Sequence, residues 1–266
     1  MYQTTYHRAS SVDEAASLFG KSSEAKFLAG GQTLLPVMKQ RLASPSDVID
    51  LGKIKELQGV ELSGDVLTIK AATTYYDIMT NADVKKAIPA IAHLTSVLGD
   101  PAVRYRGTIG GSIANNDPAA DYPAALLALG ATVKTNKRSI SADDFFKGLF
   151  TTALEDGEII TAVSFPVPEK AGYEKMRHPA SRFALTGVFV AKTKSGEIRV
   201  AATGASQSGV MRVGAIEAAL KANWSPSALD NVSISANGLL ADIHGTAEYR
   251  ANLVKVMAQR AVAAAG

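Results

Sequence analysis

Two stretches of the chain place paired glycines between an apolar or β-branched run and a small polar residue. They are KFLAGGQTLL, residues 26–35, and GTIGGS, residues 107–112. Such a segment leaves backbone N–H groups uncovered, and uncovered N–H groups are good partners for phosphate oxygens. The absence of β-carbons lets a ligand come close to the main chain. A glycine pair serves equally as a tight turn. Two similar pairs, each followed by Gln, Ser or Thr, bring the anion-site reading level with the turn reading. Beyond the second pair the chain runs on as TIGGSIANNDPAADYPAALLALG, so carboxylates follow the bare backbone and then a run that reads as a buried helix.

Other ways of holding a nucleotide or doing group transfer are excluded. No G-x-G-x-x-G lies between a strand and a helix, as a Rossmann site requires. Gly20-Lys21-Ser22 imitates the end of a P-loop, but Ala15 stands where that motif needs glycine. His7, His93, His178 and His244 are scattered without metal-ligand spacing. No G-x-S-x-G elbow is present. With no cysteine, thiolate catalysis, disulfides and a cysteine-held iron–sulfur cluster are excluded within this chain. A balance of 28 basic and 25 acidic residues gives +3, too little to argue for nucleic acid. The N-terminal segment lacks a signal-peptide core and no apolar run spans a bilayer, so the cytoplasm is the expected location.

The elements that position the loops alternate between short strands and short helices. A Ser11-capped helix over 11–19, a strand over 26–29, a helix over 33–42 and a strand over 47–51 form a first βαβ-like unit. The chain then turns strand-rich, with VEL and DVLTIKAA from Val60. Helices are expected at 75–80 and 89–98, a loop at GDPAVRYRG, a hairpin over 131–140, and an apolar strand, EIITAVSFP, ending in Pro166. The Pro/Gly/charge break VPEKAG places a domain boundary near 168. After it come three strand candidates, YEKMRH, GVFVAKTK and EIRVAATGA, the last two joined by the turn Ser195-Gly196. Helices around 213–222, 227–234 and 246–265 finish the chain.

Four motifs in this order, AGGQTLLPVMKQRL, GDPAVRYRGTIGGSIANNDPAADYPAALLALGA, DFFKGLFTTAL and YEKMRHPASRFAL, together with EYR at 248–250, resemble one family. They are similar to the FAD-binding medium subunits of bacterial molybdenum hydroxylases, the group of carbon monoxide dehydrogenase and xanthine dehydrogenase. The resemblance spans essentially the whole chain. It implies an α+β fold with a two-lobed FAD-binding domain of the vanillyl-alcohol-oxidase (PCMH) type over 1–168, the lobes dividing near residue 55. A smaller C-terminal α/β domain with a three-stranded sheet is implied over 169–266.

By position, the resemblance puts the FAD pyrophosphate on two loops. Lys26, Leu28, Ala29, Gly30, Gly31, Gln32, Thr33 and Leu34 belong to the first, and Thr108, Ile109, Gly110, Gly111 and Ser112 to the second. Asp121 matches an acid for the nucleotide part, Ile160 an apolar contact on the adenine side, Lys175 a lysine near the ligand, and Phe183 an aromatic against the isoalloxazine. Taken singly, Asp121 reads as a helix N-terminal acid, Ile160 and Phe183 as core residues, and Lys175 as a solvated strand residue. Gln32-Thr33 replaces the His-Ser of many relatives, Asn116 stands where a small residue is frequent, and Phe183 lacks a tyrosine hydroxyl.

The role so implied is an electron relay without a general acid or base in this chain. The molybdenum cofactor is expected on a large subunit and the 2Fe-2S clusters on a small one, with NAD, a quinone or dioxygen as acceptor and a dimer of heterotrimers as assembly. The rival readings are a self-contained flavin oxidase on the same fold, a non-catalytic nucleotide-binding assembly subunit, and a glycine-rich domain without ligand.

Overall fold

A computed structural model describes residues 1–265. The first lobe is a three-stranded parallel sheet of β1 (Thr5–Arg8), β2 (Lys26–Leu28) and β3 (Asp47–Asp50) in the order β1-β3-β2. Helix α1 (Val12–Phe19) begins where Ser11 accepts a hydrogen bond from the Glu14 N–H, as its N-cap chemistry requires. Its apolar side and β3 bury Ala15, Ile49, Ile54 and Leu57 in a small separate core. The expected strand–helix–strand order is present, and β1 adds a further strand parallel to β3. The helix after the first glycine pair, α2 (Leu34–Lys39), is shorter than its expected span.

The second lobe is an antiparallel five-stranded sheet, β4-β5-β10-β6-β7, of Val60–Ser63, Val66–Lys70, Ile160–Pro166, Thr132–Thr135 and Ser139–Ser141. Six helices pack with it: α3 (Tyr75–Thr80), α4 (Ala82–Ala87), α5 (Pro89–Ser96), α6 (Pro101–Arg106), α7 (Ile109–Asn115) and α8 (Tyr122–Leu129), followed by a single turn, α9 (Ala142–Phe145). The stretch expected as a loop, GDPAVRYRG, is helix α6. Asp100 caps it through the Val103 N–H, and Pro101 occupies the first turn, where its missing N–H costs nothing. A hairpin of β8 (Phe146–Gly148) and β9 (Thr151–Thr152) is stapled to the end of α7 by Asn116. This left-handed, buried residue donates Nδ2 to the Gly148 and Thr151 carbonyls.

The C-terminal sheet has four antiparallel strands rather than the expected three: β11 (Lys170–Arg177), β12 (Ala184–Lys192), β13 (Ile198–Ser206) and β14 (Gly209–Arg212). The fourth is only four residues long, too short for its side-chain alternation to stand out, and its pairing with β13 is irregular. One face of the sheet carries α10 (Gly214–Ala222) and α11 (Ala247–Ala264). The helix expected at 227–234 reduces to the 3-10 turn Pro226–Leu229 capped by Ser225. The other face packs on α8, all of whose residues are buried. Burial of Leu126, Leu127 and Leu129 contributes about 1.5–3 kcal/mol each, and the core of the second lobe continues without a break into Tyr173, Phe189 and Ala201 of this sheet. The α+β class read from the sequence is the one observed.

Candidate functional site

Strand β2 is the edge of the parallel sheet, and the chain leaves it straight into the first glycine pair. Among the described residues, no N–H from Ala29 through Leu34 donates to a protein acceptor. Gly31 has φ +73°, the left-handed region open to glycine. Thr33 makes no side-chain cap, so the Leu34 N–H at the start of α2 stays free, whereas Leu35 N–H already donates to Gly31 O at 3.2 Å. Gly30 is bare for a different reason: a β-carbon there would strike the carbonyl of Arg106. The two loops therefore touch backbone to backbone at this point.

The second loop departs from the sequence reading. Thr108 caps α7, accepting from the Gly111 N–H at 3.2 Å and, through its carbonyl, from Ser112 N–H at 3.0 Å. Gly110 N–H donates to Ala71 O at 2.9 Å and Ile109 N–H reaches Thr73 O at 3.4 Å. From Ile109 to Ser112 the donors are engaged within the protein. A β-carbon on Gly110 would lie 2.8 Å from Ala71 O, and one on Gly107 would enter the Tyr75 ring. Here the missing side chains make room for neighbouring chain, although Gly107 and Gly110 also line the cavity between the two loops. Burial pushes the Tyr75 hydroxyl up to about 12, against the opposing hydrogen bond with Ser112.

Between the loops lies a cavity of about 910 Å³, toward the upper end of ligand pockets, roughly 300–1,000 Å³. The first loop lines it continuously from Lys26 to Leu34, and the second through Thr108, Gly110, Gly111 and Ser112. Ile160 of β10 lines it too, buried as a strand residue should be. Phe183 reaches it from the loop between β11 and β12, 53% exposed, so it is a mouth residue and not a core one. Ile109 and Lys175 are the two predicted residues outside the lining: Ile109 is buried in the core of the second lobe, and Lys175 stands behind Asp121.

Asp121 lines the cavity and is almost wholly buried, and it makes no helix-capping hydrogen bond. Lys175 Nζ lies 2.7 Å from Asp121 Oδ1, and the Tyr173 hydroxyl donates to the same oxygen. Oδ2 has no hydrogen-bond partner, and Lys175 Nζ meets Oδ1 as an ion pair without hydrogen-bond geometry. Burial pushes the Asp121 carboxyl above the usual carboxylate range, opposed by the Lys175 charge and the Tyr173 donor on Oδ1. Glu158, a wall residue, behaves oppositely: the Arg138 guanidinium holds its carboxyl down to about 2 through hydrogen bonds of 2.9–3.0 Å.

The sequence reading missed Tyr75, Asp100, Asn115, Asp117 and Arg182 in the cavity wall. Asp100, Asn115 and Asp117 fall inside the quoted motifs, so their types were visible but their direction was not. Tyr75 carries no local signal, and Arg182 lies inside the fourth quoted motif, again with its type visible and its direction not. The first is placed by helix packing, and the second by a left-handed backbone, φ +61°, in the loop before β12. Among the described residues, no helix is long and apolar enough to cross a membrane.

Residues 2–168 match the family described as the FAD binding domain in molybdopterin dehydrogenase. The chain is 34% identical to the carbon monoxide dehydrogenase medium chain of Hydrogenophaga pseudoflava, across 98% of this chain and 96% of that one. It is 41% identical to the glyceraldehyde dehydrogenase medium chain of Sulfolobus acidocaldarius, across 73% and 72%. A solved structure, the reconstituted carbon monoxide dehydrogenase from Oligotropha carboxidovorans, superposes with a TM-score of 0.89 at 32% identity, covering 99% of this chain and 98% of that one. The chain thus belongs to the FAD-binding medium subunits of the molybdenum hydroxylases, and it is the flavoprotein subunit of an oxidoreductase of that family.

Proposed function

We propose that this subunit is an electron relay in a three-subunit molybdenum hydroxylase, its FAD held in the cavity between the two glycine loops. The observation that carries this reading is the pairing of unengaged N–H groups on Ala29–Leu34 with an unpaired carboxylate oxygen on Asp121 in one cavity. A dinucleotide needs both: donors for its phosphates and an acceptor for its hydroxyls. When bound, FAD supplies the redox chemistry of the isoalloxazine ring.

The protein's part is positioning. Backbone donors of the first loop hold phosphate oxygens, each hydrogen bond to a charged group contributing about 1.5–3 kcal/mol. The second loop, with Thr108 to Ser112 locked to its neighbours, forms the opposite wall. Ile160 packs against the nucleotide side, and Phe183 at the mouth covers the flavin side. Lys26 leads into the first loop, and Lys175 neutralises Asp121. No residue of this chain is assigned as general acid or base.

In this reading residues 1–168 are the FAD-binding domain, with lobes meeting near 55, and 169–266 a C-terminal domain. A small subunit with 2Fe-2S clusters supplies electrons, a large subunit holds the molybdenum cofactor, and NAD, a quinone or dioxygen accepts. The assembly is a dimer of heterotrimers in the cytoplasm. The relatives act, by their names, on carbon monoxide and glyceraldehyde, so the substrate class is set on a partner.

The test is the purified chain. It should carry flavin absorbance and accept electrons from an artificial donor, yet turn over no aldehyde, purine or carbon monoxide until two further chains are added. Substrate oxidation by the chain alone would replace the relay with a self-contained oxidase.

A further inference from the structure

The Asp121 carboxylate is used asymmetrically. Alternation along β11 puts Tyr173 and Lys175 on one side of the strand, and both reach Oδ1. Oδ2 is buried, unpaired, and belongs to a residue of the cavity wall. Leaving a buried carboxylate oxygen without a donor is costly, so the arrangement is complete only when something in the cavity donates to it. Tyr173 is fully buried and lies outside the cavity lining. Its hydroxyl sits where a β-carbon on Gly187 would have been, so the sheet leaves space for the phenol at that point.

We propose that Tyr173 is a positioning residue, locking the Asp121 carboxylate so that Oδ2 faces a hydroxyl group of the bound nucleotide. This rests on the FAD reading above. It divides the cavity chemically: the Ala29–Leu34 loop takes anionic oxygens, while the Asp121 end takes a hydroxyl donor and disfavours a phosphate. Oδ2 accepts only while the carboxyl is ionised, because a proton on Oδ2 turns an acceptor into a donor. The groups facing it are Tyr173 and Lys175 of β11, Tyr122 beside it on α8, and Tyr75 of α3. Tyr173 and Lys175 favour the ionised form. Affinity for FAD therefore falls as pH drops through the Asp121 titration, and loss of the Tyr173 hydroxyl moves that fall to higher pH.

The experiment is FAD titration of the full chain by flavin fluorescence over a pH series, with Tyr173→Phe, Asp121→Asn and the double variant. Tyr173→Phe should bind FAD about tenfold more weakly, with its acid midpoint displaced upward. In the Asp121→Asn background it should cost nothing further. Unchanged affinity and midpoint in a Tyr173→Phe protein of native circular dichroism would overturn the proposal. So would an additive loss in the double variant, which is the mark of a merely structural role. The unmodified chain gives a measurement independent of folding defects: affinity that stays flat on acidification also overturns it. A wild-type chain that takes up no FAD at any pH would instead bring down the FAD reading and this inference with it.

Discussion

The two glycine loops look alike in sequence and both line the cavity, but their backbone donors are used differently. In the first, the donors from Ala29 to Leu34 are unengaged; in the second, those from Ile109 to Ser112 are taken up by Thr73, Ala71 and Thr108. The first leaves an edge strand and has no partner strand to satisfy it, whereas the second begins a capped helix wedged against the end of β5. Glycine in the first loop includes a left-handed turn at Gly31; glycine in the second permits contact between chain segments at Gly110 and Ala71. A G-G dipeptide thus reports a bare backbone without saying whether a ligand or another part of the protein comes up to it.

The largest effect is expected at Gly110→Ala, whose β-carbon meets the Ala71 backbone. It should cost about 3 kcal/mol of stability, seen as a lowered melting temperature with and without FAD. A normal melting curve with lost flavin would instead put the second loop in the same class as the first. Gly31→Val should show the converse. FAD affinity drops about a hundredfold through two lost phosphate contacts, while stability falls by only about 1–2 kcal/mol from the left-handed backbone; flavin titration and thermal melts separate the two.

Removing FAD sharpens the contrast without mutation. Amide exchange at Ala29–Leu34 should accelerate about tenfold in the flavin-free protein while Gly110–Ser112 stay protected. Equal acceleration in both loops would erase the distinction. Least of all, Thr108→Ala removes the α7 cap, costing about 1 kcal/mol and shifting FAD affinity less than about threefold. A large loss of flavin there would show the second loop to be a direct ligand platform.

Much of this was legible locally. Ser11 and Thr246 announce their helices, the alanine–leucine run 122–129 is the buried helix it reads as, and the first glycine loop lies on the cavity as its bareness suggests. These follow from interactions within a few residues, through caps, periodicity and missing β-carbons, and so they are written in the chain. The fourth strand of the C-terminal sheet, the capped helix at Pro101–Arg106 and the failed helix at 227–234 were not, since short segments are decided by what they pack on. Least legible was the fate of polar groups. Which glycine N–H finds an acceptor, and which oxygen of Asp121 is left for a ligand, depends on Ala71, Tyr173 and Lys175, distant in sequence and brought near only by folding. Residue type sets what a donor or acceptor is able to do, and the tertiary structure decides whether it is still free to do it.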